Sequence, residues 1–132
     1  MKNLKLLKAN FTDIRGTITD IFSNDPKQHC SIIESYDNAI RANHYHKETT
    51  QYTYIVEGRL RMASVTVNDI GIYAPDDIIV TTLDSGSLVT HQPFEAHAFQ
   101  SIGRSIILAF ACGIRGGDKY EADVYRLKSP LF

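Results

Sequence analysis

Cysteine is scarce. The sequence of 132 residues holds two, Cys30 and Cys112, far apart and in no C-x-x-C pair. That excludes a disulfide-stapled scaffold and suits a reducing compartment. A charge excess is also missing: 14 Lys and Arg stand against 15 Asp and Glu, a formal net charge of -1. No electrostatic footprint for nucleic acid arises from that balance. No stretch approaches the roughly 18 consecutive apolar residues of a membrane span. The opening segment carries Lys2, Lys5 and Lys8 but no apolar run of signal-peptide length. What is present is ordinary for a globular chain, 43% hydrophobic and 22% charged, which excludes disorder, a collagen-like repeat and a coiled coil. A chain of 14.8 kDa buries about two-thirds of its unfolded surface, enough for one core. The expectation is one soluble, cytoplasmic domain over residues 1–132 that engages neither nucleic acid nor membrane.

Turn signals punctuate the chain every 8–12 residues. The span 14–22 alternates and is rich in β-branched residues, which predicts a strand, and 23–27 (S-N-D-P-K) predicts a turn. Extended patterns follow at about 29–36, 39–46, 51–56, 60–67, 78–82, 88–90, 96–102 and 104–111. Asp37-Asn38, Glu57-Gly58, Asn68-Asp69, Asp84-Ser85-Gly86 and Gly103 separate them. About nine short strands so spaced predict an all-β sandwich or barrel. Beyond Gly116-Gly117, Tyr120, Val124 and Leu127 sit at i, i+4 and i+7. A short C-terminal helix and an extended tail are the two alternatives there. No repeat, linker or domain boundary is visible.

The chemistry concentrates in Asn43-His44-Tyr45-His46-Lys47-Glu48-Thr49-Thr50-Gln51. Strand side chains alternate, so His44 and His46 share a face, with their Cα atoms about 7 Å apart. If residues 47–50 turn the chain, Gln51 lies across from that pair, and His97 comes from a later strand. Three imidazoles and an amide from three strands can converge on a metal or on one substrate. A lone buried His is more often a hydrogen-bonded core residue, and an H-x-H pair alone can be a surface accident; the wider spacing argues otherwise. Arg41 can grip a phosphate or carboxylate of a substrate or sit solvated at a rim. His91 is expected at the mouth of the pocket, as a substrate contact. Glu95 is expected either to orient an imidazole or to lie in a surface turn. Tyr52 and Tyr54 should face away from Gln51.

Asn38, His44, His46, Gln51 and Gly58 fall in register with the pattern G-x5-H-x-H-x(3,4)-E-x6-G, motif 1 at 38–58. Gly86 and His97 fall in register with G-x5-P-x-G-x2-H-x3-N, motif 2 at 86–101. On these motifs the chain resembles the cupins. Asn38 replaces a Gly and Gln51 the Glu of motif 1; Gln92, Phe94 and Ser101 replace the Pro, Gly and Asn of motif 2. The resemblance implies a jelly-roll β-barrel with an interior site. It implies a divalent metal (Zn, Fe, Ni, Mn or Cu) on His44, His46, Gln51 and His97, and a homodimer. Gln51 offers a dipole where a carboxylate would neutralise charge, so a metal-free site is the alternative. No organic cofactor is indicated.

The run His44-x-His46-Lys47-x3-Gln51 and the tetrapeptide Asp13-Ile14-Arg15-Gly16 are similar to segments of cupins that isomerise or epimerise nucleotide-linked keto sugars. That resemblance implies a small-molecule sugar substrate, with His44 and His46 as catalytic base and acid or as metal ligands. Two alternatives stand beside it. One is a metal-dependent oxygenase or lyase on a small organic substrate; the other is a non-catalytic small-ligand-binding barrel.

Overall fold

The computed structural model describes residues 3–113 and 122–132. Ten strands appear among them: β1 Leu4–Leu6, β2 Phe11–Asp13, β3 Gly16–Ile18, β4 His29–Ser35, β5 Ile40–Tyr45, β6 Thr50–Thr66, β7 Ile79–Asp84, β8 Ser87–His91, β9 Glu95–Cys112 and β10 Tyr125–Arg126. A single 3-10 turn spans Pro75–Asp77.

β6 and β9 organise everything else. They pair antiparallel along their lengths, from Thr50↔Cys112 to Thr66↔Glu95. The free edge of β6 takes β8 along Gln51–Tyr54 and β7 along Arg59–Ser64. The free edge of β9 takes β5 near residues 97–100 and β4 along 105–111. Each long strand therefore serves two half-sheets, β1-β8-β6-β9-β4 and β7-β6-β9-β5-β10. The register slips twice between Ile55 and Arg59, and there the sheet folds back on itself. Ile55, Val89 and Ile107 from one half meet Leu60, Met62, Leu83 and Phe99 from the other in one buried cluster. Alternation along β6 does the sorting: Gln51, Thr53 and Ile55 are buried, while Tyr52 and Tyr54 face the other way and are half-buried. This is the all-β barrel that the turn spacing predicts, of the jelly-roll type that the resemblance implies.

The structure departs from the sequence reading at three places. The expected breaks at Glu57-Gly58 and Gly103 are bends within continuous strands, because the glycines absorb a bulge (φ +92 and +73) without reversing the chain. The strand expected over 14–22 is replaced by the hairpin β2–β3. Asp13 turns it, accepting the Arg15 backbone N–H at 2.9 Å and its guanidinium at 2.7 Å. That local bonding overrides the β-branched pattern. Residues 122–132 form an extended tail: β10 pairs with β5, and Leu127 and Leu131 pack on Tyr45, Val65, Val67 and Ala96. The alternative helix began at Tyr120, which lies outside the described residues. No helix among the described residues is long and apolar enough to cross a membrane.

Candidate active site

A β-bulge in β5 sets the geometry. Arg41 pairs with Phe99 and Ala42 with Ala98, but the next step on β9, His97, pairs with His44. Asn43 is the extra residue. In an unbroken strand Arg41 and His44 would point to opposite faces; the bulge puts both on the inner face with Phe99 and His97. Ala42 and Asn43 adopt φ +72 and +56, a region that Ala enters only when its surroundings enforce it. The tail does the enforcing. Asn43 O accepts the Leu127 N–H at 2.9 Å, and Asn43 Oδ1 accepts the Leu131 N–H at 2.7 Å.

Four imidazoles meet between the half-sheets. His46, His91 and His97 are fully buried and His44 is 7% exposed. The ring of His44 lies 4.9 Å from those of His46 and His97, and His91 stacks on His97 at 4.1 Å. One ring nitrogen each from His44, His46 and His97 falls within 4.8 Å of the others. Hydrogen bonds fix two tautomers. His97 Nδ1 must donate to the Glu95 carbonyl at 3.2 Å, and His46 Nδ1 to the Asp123 carbonyl at 2.9 Å, because a carbonyl only accepts. Each neutral ring then keeps its lone pair on Nε2. Burial first, then the neighbouring His91, His44 and His46 rings, holds His97 well below the ordinary imidazole range, so it is neutral near pH 7. Gln51 Oε1 lies 3.2 Å from His46 Nε2. Two lone pairs converge there, an arrangement suited to an electrophile between them.

A cavity of about 430 Å³ leads to this cluster. Its walls include His44 and Gln51 but not His46, His91 or His97. His44 and Gln51 are thus the members of the cluster that a bound molecule reaches. Two guanidinium groups, Arg41 and Arg126, line the same cavity with His29 and Ser31. Arg41 is held by neutral acceptors, Ser35 Oγ and the Glu34 carbonyl, each at 2.8 Å. Among the described residues no carboxylate pairs with Arg41, so its charge stays available to an anion.

The structure brings His44, His46, Gln51 and His97 together as the spacing predicts, and it places Arg41 on the cavity wall. It corrects the position expected for His91, which sits behind His97 and not at the mouth. The inward-facing pleat of β8 buries it where Gln51 pairs across. Glu95 serves twice, through its carbonyl toward His97 and through its carboxylate toward His91. Arg15 lies at an exposed hairpin tip bound to Asp13 and does not line the cavity.

Sequence reasoning missed Asp123 and Arg126. Both come from the tail, and no local pattern ties them to the histidines. Asp123 secures the 47–49 turn, its carboxylate accepting the backbone N–H groups of Lys47, Glu48 and Thr49 at 2.9, 2.9 and 2.8 Å. Burial alone would raise its pKa; these donors outweigh burial and lower it below 3.8. Its stabilisation is therefore complete above the ordinary carboxylate range and is lost as pH falls through the depressed folded value. Asp123→Ala should cost about 1–2 kcal/mol after solvent screening, read by urea denaturation at pH 7. Asp123→Asn should flatten the acid limb of the stability profile; an unchanged limb would contradict this role.

A family profile described as Cupin matches residues 10–118. No curated protein matches the sequence. Several solved structures share the fold. A sugar 3,4-ketoisomerase from Thermoanaerobacterium thermosaccharolyticum, in complex with TDP, superposes with a TM-score of 0.72 at 18% identity over 96% of this chain and 89% of its own. A mutant of that enzyme was solved in complex with TDP-4-keto-6-deoxyglucose, with a TM-score of 0.71 at 18% identity over 96% and 88% of the two chains. A 3'-monoepimerase from Streptomyces bikiniensis, in complex with dTDP-quinovose, gives a TM-score of 0.72 at 17% identity over 93% and 67%. A dTDP-4-dehydrorhamnose 3,5-epimerase from Sulfolobus tokodaii gives 0.68 at 20% identity over 82% and 68%.

Proposed function

This chain belongs to the cupin family, and from that premise we propose that it isomerises or epimerises a nucleotide-linked keto sugar by proton transfer. The observation that carries the reading is His44 on the cavity wall, clustered with three further imidazoles, with Arg41 and Arg126 lining the same cavity. Neutral imidazole is matched to general acid–base work near neutral pH. His44 takes the proton from the carbon beside the keto group. Where that carbon bears a hydroxyl, its O–H proton passes to the former keto oxygen through the enediolate, and return of the carbon proton to the former carbonyl carbon moves the keto group; protonation of the original carbon from the opposite face, by a second acid, inverts the centre. Arg41 and Arg126 suit the diphosphate of a nucleotide. Solved structures of like fold that carry TDP or a dTDP-sugar support the same substrate class.

In the alternative arrangement His44 is a ligand and not the base, and we assign a divalent metal to His44, His46, His97 and Gln51. The clustered ring nitrogens, the Nε2 lone pairs of His46 and His97, and the Gln51 oxygen support that donor set. A bound dication would polarise the substrate carbonyl as a Lewis acid. His97 and His46 hold their rings in place through the Glu95 and Asp123 carbonyls, whichever ion is bound.

Cys30 and Cys112 form no disulfide, which suits the cytoplasm as the place of action. A homodimer through hairpin β2–β3 completes the reading. Among the described residues the hairpin pairs with no other strand, Phe11, Ile14 and Ile18 on it are exposed, and an isolated hairpin is barely stable in water. Phe11→Asp with Ile18→Asp should lower the mass in light scattering from twice 14.8 kDa to 14.8 kDa; a wild-type monomer would overturn the dimer.

Incubation with TDP-4-keto-6-deoxyglucose, followed by proton NMR, tests the activity. Appearance of a second keto sugar is expected. An unchanged spectrum at saturating enzyme would overturn the reading.

A further inference from the structure

Behind the histidine trio runs a line of buried polar groups whose members Glu95, His91 and Thr53 the proposed reaction does not use. Glu95 Oε1 faces His91 Nδ1 at 3.8 Å, longer than a hydrogen bond, and among the described residues neither buried atom has a hydrogen-bond partner. His91 Nε2 lies 3.2 Å from Thr53 Oγ1, and Gln51 Nε2 lies 3.4 Å from the same hydroxyl. Gln51 Oε1 then reaches His46 Nε2 at 3.2 Å. His91 and Thr53 are both fully buried. The line ends outward on Asn3, whose side-chain amide donates to Glu95 Oε2 at 3.4 Å.

Such a line has two directions; the second hydrogen-bonds the Gln51–His46 link, and the first leaves the Gln51 oxygen and the His46 Nε2 lone pair facing each other, open to an electrophile. In the first, His91 carries its proton on Nδ1, toward the Glu95 carboxylate. His91 Nε2 accepts from the Thr53 hydroxyl, Thr53 accepts from the Gln51 amide N–H, and the Gln51 oxygen faces the trio. In the second, His91 carries its proton on Nε2 and donates to Thr53. The Thr53 hydroxyl then donates to the Gln51 oxygen, and the amide N–H group of Gln51 turns toward the His46 Nε2 lone pair. The first presents an oxygen donor to an ion; the second presents N–H and closes the position. The two directions differ only in proton placement and one amide flip.

We propose that Glu95 is a positioning residue. Its carboxylate draws the His91 proton to Nδ1 and thereby, through Thr53, holds the Gln51 oxygen toward His44, His46 and His97. The carboxylate accepts only, so of the two directions it favours the first. Glu95 is not a catalytic residue: it touches no cavity wall. The proposal rests on the metal reading for its consequence but not for its proton placement, and the two are measured separately.

Nitrogen-15 NMR of the histidine rings in metal-free protein reads the first. His91 should carry its proton on Nδ1 in the wild type, and the Gln51 amide protons should show cross-peaks to Thr53. In Glu95→Gln the His91 proton should move toward Nε2. Zn²⁺ titration reads the second: affinity should fall about ten- to a hundredfold in Glu95→Gln and in Thr53→Val. A wild-type His91 protonated on Nε2, or Gln51 amide protons directed at His46, would overturn the relay. So would a tautomer change in Glu95→Gln that leaves Zn²⁺ affinity intact. Wild-type protein that binds no Zn²⁺ yet keeps His91 on Nδ1 would sink the metal assignment and uphold the relay. Should Thr53→Val fail to fold, Glu95→Gln alone decides, since its side chain keeps its size.

Discussion

His44→Ala should lower kcat on a nucleotide-linked keto sugar by about a hundredfold to ten-thousandfold, the usual worth of a positioned general base, while leaving KM nearly unchanged. The separation follows from the layout of the cavity. His44, Arg41 and Arg126 all line it, but His44 is buried against His46 and His97, whereas the residues suited to the nucleotide, Arg41 and Arg126, are exposed. Arg41→Ala should show the opposite split, with KM raised and kcat less affected. If His44→Ala instead raised KM with kcat intact, His44 would be a binding group and not the proton carrier. Thermal denaturation of the variant guards against the trivial explanation. The fold should survive, because the buried apolar cluster of Ile55, Leu60, Met62, Leu83, Val89, Phe99 and Ile107 does not include His44.

Gly58→Ala should be severely damaging for a single added methyl. Gly58 adopts φ +92, and an added Cβ would lie 2.5 Å from the Arg104 carbonyl oxygen and 2.9 Å from Ser105 Cα. Both are backbone atoms of β9, so neither can swing aside. A positive φ costs a residue with a side chain roughly 1–2 kcal/mol, and overpacking adds about 1–3 kcal/mol. A loss of about 3 kcal/mol is expected, lowering Tm by about 10 °C. The same residue sits where β6 slips register against β9, so the damage falls on the bend that closes one half-sheet over the other. Gly103→Ala is the control. Its φ is also positive, +73, but nothing lies near the added methyl, so only the backbone term applies. Equal losses in the two variants would show that the close approach contributes nothing.

The spacing of His44, His46, Gln51 and His97 was legible because period-2 alternation and a short turn are local facts. The strand count was legible for the same reason. The bulge at Asn43 was not, although it decides that Arg41 shares the inner face. Asn tolerates a left-handed backbone, but Ala42 does so only because the tail bonds to Asn43 from about 90 positions later in the chain. Asp123 and Arg126 were hidden by that same distance. His91 reads as a mouth residue because it ends a strand six residues before His97; only the pairing of Gln51 with His91 reveals its depth. The continuity of β6 and β9 was masked by glycines that read as turns and act as bends.

The central claim is that the imidazole cluster moves a carbon-bound proton of a keto sugar. Incubation of TDP-4-keto-6-deoxyglucose with the enzyme in deuterated water, read by mass spectrometry, tests it directly. The account predicts deuterium fixed on carbon next to the keto position with wild-type protein, and at least a hundredfold more slowly with His44→Ala. Tight binding of the nucleotide sugar with no deuterium on carbon after prolonged incubation would contradict it.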